Sequence, residues 1–324
     1  MATSSEGPVA VEVRDLEKKF GAFTAVNRVS FHVRRGEIFG FLGPNGAGKS
    51  TTIRVLCGIL PPTSGSGTVD GFDIRREQRR IKQHIGYMSQ KFSLYDDLTV
   101  EENIDFYSGI YRIPEAEKNG REEEIIRTAG IQEFRTRLTR HLSGGWKQRL
   151  ALGCAIIHRP RIIFLDEPTS GVDPITRASF WDTIKRMAAG GVTVFVTTHY
   201  MDEAENCDRM ALIYRGSIIA MGTPSEMKTE FMRDDVLEIQ APGAEEWAGR
   251  IRRLEGIKET ALFGSGIHAV AADAATAEPA IRRLFDAAGE AGYSVKKIVP
   301  SLEDVFVSLI EAYDAEKGED RRGA

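Results

Sequence analysis

The run "GEIFGFLGPNGAGKSTTIRVLCGIL" carries the densest set of residues able to do chemistry. Gly43 to Ser50 keep the spacing G-x-x-x-x-G-K-[ST] between an apolar β-prone run and a helical run, the setting in which that spacing cradles phosphate. Gly46 and Gly48 let backbone N–H groups curl around phosphate oxygens, and the start of the following helix adds partial positive charge. Lys49 is long enough to reach the β- and γ-phosphates of a nucleotide, and Ser50 offers a hydroxyl to Mg²⁺. Pro44, Asn45 and Ala47 complete the loop, and Thr51 follows on the helix.

Chemistry on a phosphate also needs carboxylates, and "RIIFLDEP" supplies two. An apolar strand there ends in Asp166 and Glu167, at the sheet edge where α/β folds bind ligands. Asp166 is placed to hold Mg²⁺ through water, and Glu167 to orient or deprotonate an attacking water. Alone, such a pair is more often a cap or turn feature; beside a phosphate loop it points to nucleotide hydrolysis. A third stretch, "LSGGWKQRL", opens a helix that Ser143 could cap. Gly144 and Gly145 in its first turn each cost roughly 1 kcal/mol against alanine. They also bare N–H groups at a positive helix end, a site suited to an anion.

Periodicity supplies the elements that must position these groups. Up to about residue 229, "AVEVRDL", "VSFHV", "GEIFGFLG", "RIIFLDEP", "TVFVTTH" and "MALIYRG" read as strands alternating with helical stretches. The later ones are almost continuously apolar, as in a parallel sheet covered by helices on both faces. Residues 92–160 break the alternation with helical patterns and no convincing strand, which predicts a helical insertion. From about 234 a smaller unit reads β-α-β-β-α-β plus a last helix, "SLEDVFVSLIEAY", a ferredoxin-like order. Its boundaries are 234–314, and the charged 315–324 are expected to fray. His268 is its only histidine, and no catalytic cluster stands out there.

In order along the chain, the phosphate loop, "LSGG", "LDEP", "SGVDP" and "TVFVTTH" resemble the nucleotide-binding subunit of an ABC transporter over about residues 8–229. The resemblance implies a P-loop NTPase fold with the helical insertion, and ATP with Mg²⁺ as ligands. It also implies a head-to-tail dimer in which Ser143, Gly144 and Gly145 of one chain face the ATP held by the other. By the same resemblance Gln90 touches Mg²⁺ or the attacking water, Asp173 crosses the dimer interface, and His199 contacts the γ-phosphate and helps hold Glu167. Phe20 matches the aromatic that stacks on adenine, although a strand-end core aromatic is an equal reading of that residue alone. The family most often has Gln after "LSGG"; this chain has Trp146, free to pack on the partner or on the helical insertion.

The "LSGGWKQRLALGCAI" variant and the "LEDVF" ending are similar to the type 2 exporter subgroup, which includes drug and multidrug efflux systems. That similarity implies an ATPase motor acting on separate membrane-spanning permease subunits at the cytoplasmic face of the membrane. The surface from Lys91 to Asp105, with Phe92 and Tyr95, is expected to meet them. A soluble ATPase acting on ribosomes or DNA and an importer motor are the competing classes.

Composition narrows the choice further. A formal net charge of −4 and a pI near 6.0 give no general attraction to nucleic acid. Cys57, Cys154 and Cys207 stand far apart without a C-x-x-C pair, which argues against a disulfide framework or zinc site and suits a reducing compartment. The opening "MATSSEGPVAVEVRD" lacks the pattern of a signal peptide. Apolar runs such as "GVTVFV" fall short of the roughly 18 residues that span a bilayer.

Overall fold

A computed structural model of the chain describes residues 7–91, 93–232 and 234–320. It comprises two compact units, Met1–Thr223 and Pro224–Ala324.

The first unit opens with an antiparallel pair, β1 (Val9–Phe20) and β2 (Phe23–Arg34). It continues through β3 (Ile38–Leu42), α1 (Lys49–Leu56), β4 (Ser64–Val69), β5 (Phe72–Asp73), α2 (Gln78–His84) and β6 (Ile85–Met88). Three helices follow, α3 (Val100–Ile110), α4 (Glu115–Ala129) and α5 (Gly144–Ile156). The chain returns through β7 (Ile162–Asp166), α6 (Pro174–Ala189), β8 (Thr193–Thr198), β9 (Arg209–Tyr214) and β10 (Ser217–Gly222). Two sheets result, an antiparallel one of order β2-β1-β4-β5 and a six-stranded one of order β10-β9-β3-β8-β7-β6. In the latter only β10 runs antiparallel to its neighbour.

Every residue of β3, β7 and β8 is buried, because both faces of the parallel sheet are covered. The strand period of two assigns alternate residues to opposite faces. Phe39, Phe41, Phe164 and Phe195 meet Phe31 of β2 or one another at ring separations of 5.4–6.0 Å, joining the two sheets. Ile163, Leu165, Val194 and Val196 pack on the other side with Phe180, Trp181 and Ile184 of α6. Each fully buried phenylalanine contributes roughly 1.5–3 kcal/mol relative to exposure. Helices α3 to α5 share a smaller core of Val100, Ile104, Ile125, Leu150 and Cys154. Thr99 and Glu102 form a capping box at the start of α3.

Strands β4 and β6 had no clear signal in the sequence. "SGSGTV" reads as a turn by composition, yet its glycines are what let it lie against β1. A Cβ at Gly65 would fall 2.2 Å from the Asp15 carbonyl oxygen, and one at Gly67 2.6 Å from that of Glu12.

The second unit begins with α7 (Pro224–Glu230), which packs on the final helix. The division thus precedes α7, whereas the sequence placed it after residue 229. There follow β11 (Asp235–Gln240), α8 (Ala244–Ile251), β12 (Ile257–Phe263), β13 (Gly266–Ala271), α9 (Ala274–Ala287), β14 (Ser294–Ile298) and α10 (Leu302–Asp320). The strands form an antiparallel sheet of order β12-β13-β11-β14 over a core that includes Leu237, Trp247, Ile267, Ile281 and Phe285. Helix α10 continues past residue 314, where the sequence expected fraying to start, because its Ala-, Glu- and Lys-rich continuation favours helix; residues 321–324 lie outside the description. His268 is buried with its Nδ1 2.9 Å from Asp304 Oδ1, so it ties β13 to α10. Among the described residues no helix is long and apolar enough to cross a membrane, and no group of three or more His, Cys, Asp or Glu residues could hold a metal.

Candidate functional site

Four strands that are neighbours in the parallel sheet, β3, β8, β7 and β6, end on the same edge, and each delivers one part of the site. The loop after β3 is constrained by what surrounds it. A Cβ at Gly43 would lie 2.1 Å from the Ile213 carbonyl oxygen, and one at Gly48 2.4 Å from that of Ala25. Gly48 also has φ 111, a conformation side chains rarely adopt. Helix α1 therefore starts at Lys49 with no side-chain cap and no acidic residue in its first turn, so its N-terminal positive charge is left for a ligand. Lys49 is buried, and its ammonium donates to the carbonyl oxygens of Gly43 at 2.7 Å and Pro44 at 3.1 Å.

At the end of β7, Asp166 Oδ1 accepts hydrogen bonds from Ser50 Oγ at 2.9 Å and Thr197 Oγ1 at 2.8 Å. Its Oδ2 is buried with no hydrogen-bond partner among the described residues. Burial holds the Asp166 carboxyl above its ordinary pKa, partly offset by those two hydroxyls. An unpaired buried carboxylate oxygen is costly, and a hydrated cation would satisfy it.

Glu167 stands at the centre of the remaining groups. Its Oε1 is 3.0 Å from Lys49 Nζ, and its Oε2 accepts from Gln90 Nε2 at 3.0 Å. His199 Nδ1 lies 3.3 Å from the same Oε2 but lacks hydrogen-bond geometry. The Glu167 backbone has φ 48, and its N–H is shared between the Thr197 carbonyl at 3.1 Å and hydroxyl at 3.0 Å.

Lys49, Ser50, Gln90 and Glu167 share one cleft, lined also by Phe20, Phe23, Asn45, Gly46 and Thr51 among others. Phe20 and Phe23 stand at its rim, 48% and 63% exposed, with Lys18 Nζ 5.1 Å from the Phe20 ring. Phe20 is therefore not a core aromatic, one of the two readings its sequence allowed.

Ser143, Gly144, Gly145 and Asp173 do not line this cleft. Asp173 caps α6 by accepting from Thr176 N at 3.0 Å, and that backbone hydrogen bond holds its carboxyl below the ordinary value. Ser143 has the N-cap backbone conformation of α5, but its hydroxyl makes no capping hydrogen bond, so the expected side-chain cap is absent. The two glycines differ. A Cβ at Gly144 would meet nothing within 4 Å, whereas one at Gly145 would lie 2.7 Å from Thr176 Cγ2. Gly145 thus has a packing reason within the chain, and Gly144 has none. Trp146 packs on the helical segment, its ring 4.7 Å from that of Phe134 and Arg149 4.9 Å above it.

Thr197 was not singled out from the sequence. The available signal was a Thr-Thr pair closing an apolar strand, where buried hydroxyls must find partners. Phe92 lies outside the described residues, while Tyr95 in the same surface segment is exposed and flanked by Phe106 at 4.6 Å.

The model of the ABC transporter family matches residues 26–170. The probable multidrug ABC transporter ATP-binding protein YbhF of Escherichia coli (strain K12) is 52% identical over 229 residues, 71% of this chain and 40% of that protein. The chain thus matches well under half the length of that relative. The daunorubicin resistance ATP-binding protein DrrA3 of Streptomyces coeruleorubidus is 31% identical over 97% of both chains. Among solved structures, the dimeric post-hydrolysis state of the ATP-binding cassette MJ0796, bound to ADP and Pi, superposes with a TM-score of 0.61 at 27% identity, covering 66% of this chain and 98% of that one.

Proposed function

Given that the chain belongs to the ABC transporter ATP-binding proteins, we propose that it is the ATP-hydrolysing motor of an exporter working through separate membrane-spanning subunits. The observation that carries the reading is the convergence of Lys49, Gln90 and His199 on Glu167, beside a phosphate loop and an Asp166 with one unpaired oxygen. The loop from Gly43 to Gly48 and the start of α1, with Ser50 and Thr51, bind the nucleotide phosphates. Phe20 stacks on the base, which its exposed position at the cleft rim supports. Ser50, Asp166 and Gln90 would hold Mg²⁺, which supplies charge neutralisation on the phosphates when bound. The orphaned Asp166 Oδ2 fits that role, as does Gln90, whose amide nitrogen is committed to Glu167 and whose amide oxygen is left for the metal.

Phosphate oxygens compete with Glu167 for the Lys49 ammonium. Nucleotide binding thereby frees the Glu167 carboxylate to accept a proton from the attacking water, with His199 and Gln90 fixing its orientation. The site is completed by a second copy or a related chain, whose Ser143, Gly144 and Gly145 meet the same ATP while Asp173 lies across the interface. Exposure of Ser143, Gly144 and Asp173, and the uncapped start of α5, support that arrangement. The second unit is a ferredoxin-like accessory domain, 234–314 in the sequence reading; its order β14-β11-β13-β12 supports that topology. Drugs or other hydrophobic compounds are the proposed cargo, supported by the names of the relatives, and the motor sits at the cytoplasmic face of the membrane.

The test is Glu167→Gln examined by hydrolysis assay and by light scattering with Mg·ATP. Turnover is expected to fall by about 10²-fold or more, as for a lost general base, while ATP still binds and the mass doubles. Unchanged turnover sinks the assignment of Glu167. A mass that stays single with ATP bound sinks the sandwich of two like chains.

A further inference from the structure

We infer that Thr197 is a positioning residue that aims the metal-holding carboxylate of Asp166; the inference rests on the proposed role of Asp166. Thr197 and Asp166 are register partners on the adjacent parallel strands β8 and β7. The Thr197 side chain is fully buried, and its hydroxyl uses both of its capacities in the site. The O–H donates to Asp166 Oδ1 at 2.8 Å, and the oxygen accepts the Glu167 N–H at 3.0 Å. One side chain therefore fixes two consecutive residues with different duties.

The geometry has two consequences. With Thr197 and Ser50 both donating to Oδ1, rotation of the carboxylate is restrained and Oδ2 is the oxygen left unpaired. Ser50 is also proposed as a metal ligand, so among the described residues Thr197 is the one donor to Asp166 that the metal does not share. In addition, Glu167 sits at φ 48, which is unfavourable for a residue with a side chain. Its N–H is shared between the Thr197 hydroxyl and carbonyl oxygens, and this helps hold the strained turn that points the Glu167 carboxylate at Lys49 and Gln90. A valine at 197 would keep the branched shape and β propensity that the strand needs and remove only the hydroxyl.

The experiment uses the full chain with Thr197→Val, Thr197→Ser and Asp166→Asn, each made also in a Glu167→Gln background so that nucleotide persists. Mn²⁺ affinity with ATP bound is read by electron paramagnetic resonance in that background, and kcat and the KM for ATP are read in the others. ATP binding in chelator verifies that each variant is folded. Thr197→Val is expected to weaken Mn²⁺ binding and lower kcat by about tenfold or more, with metal-free ATP affinity unchanged, while Thr197→Ser stays within about threefold of the parent. Parental Mn²⁺ affinity in Thr197→Val, with Asp166→Asn defective, overturns the role of Thr197 and leaves Asp166 as the carboxylate. A Ser variant as impaired as the Val variant also overturns it, since the hydroxyl would then not be the active feature. Unchanged Mn²⁺ affinity in Asp166→Asn overturns the carboxylate assignment itself.

Discussion

At the scale of single residues, the two glycines after Ser143 separate stability from function. Gly144→Ala adds a methyl group into open space and gains helix propensity of roughly 1 kcal/mol, so the folded chain should be at least as stable as the parent. If the start of α5 meets a phosphate on a second chain, the same methyl group holds that phosphate away from the bared N–H groups. Hydrolysis should then fall by about tenfold or more, as when a donor aimed at developing charge is withdrawn. Gly145→Ala is expected to be less stable than Gly144→Ala by roughly 1–3 kcal/mol, because its Cβ lands 2.7 Å from Thr176 Cγ2, which must shift and so offsets the same gain in helix propensity. Thermal melts and hydrolysis rates of both variants read these outcomes. A fully active Gly144→Ala chain would remove the phosphate-facing role of that glycine. The sequence marked the pair as costly and assigned both the same reason. It could not tell them apart, because Thr176 is brought to Gly145 only by the packing of α6 against α5.

At the scale of elements, the site depends on strand order, and the second unit on how α10 lies over its sheet. Glu259 on β12 is pushed up to about 7 by burial and by Glu311 of α10, opposed by Arg252 and joined by the Asp304 charge. A carboxyl raised in the folded state binds its proton more tightly there than in the unfolded chain. Its favourable contribution is therefore present below pH 4.5 and is lost as pH rises through about 7. Glu259→Gln should remove that loss, making the variant more stable than the parent at pH 8 by roughly 1 kcal/mol after allowance for solvent screening, and little different near pH 5. Denaturant melts of the second unit at the two pH values check this; a stability difference independent of pH would show that Glu259 does not titrate as described. None of this pairing is visible in "KETALFG" and "SLEDVFVSLIEAY" read separately, since the two glutamates meet only when α10 crosses the sheet.

At the scale of the whole molecule, the surface proposed to meet membrane subunits should be separable from the hydrolytic cleft. Tyr95 is exposed, and buried Asn103 anchors its backbone by accepting from Tyr95 N at 2.9 Å and donating to Tyr95 O at 3.0 Å. Tyr95→Ala should leave hydrolysis by the isolated chain within about twofold, as for an exposed surface change, and should weaken co-purification with the membrane subunits. Undiminished co-purification would move the docking surface elsewhere. The sequence by itself made the phosphate loop, the Asp166–Glu167 pair and the alternation of apolar strands legible, because each is a local pattern carried by spacing alone. Only the tertiary structure decided that β3, β8, β7 and β6 are neighbours, so that Lys49, Gln90 and His199 reach one carboxylate and Thr197 joins Asp166. The physical reason is that strand order in a parallel sheet is set by crossover packing between segments far apart in the chain, which no local period encodes.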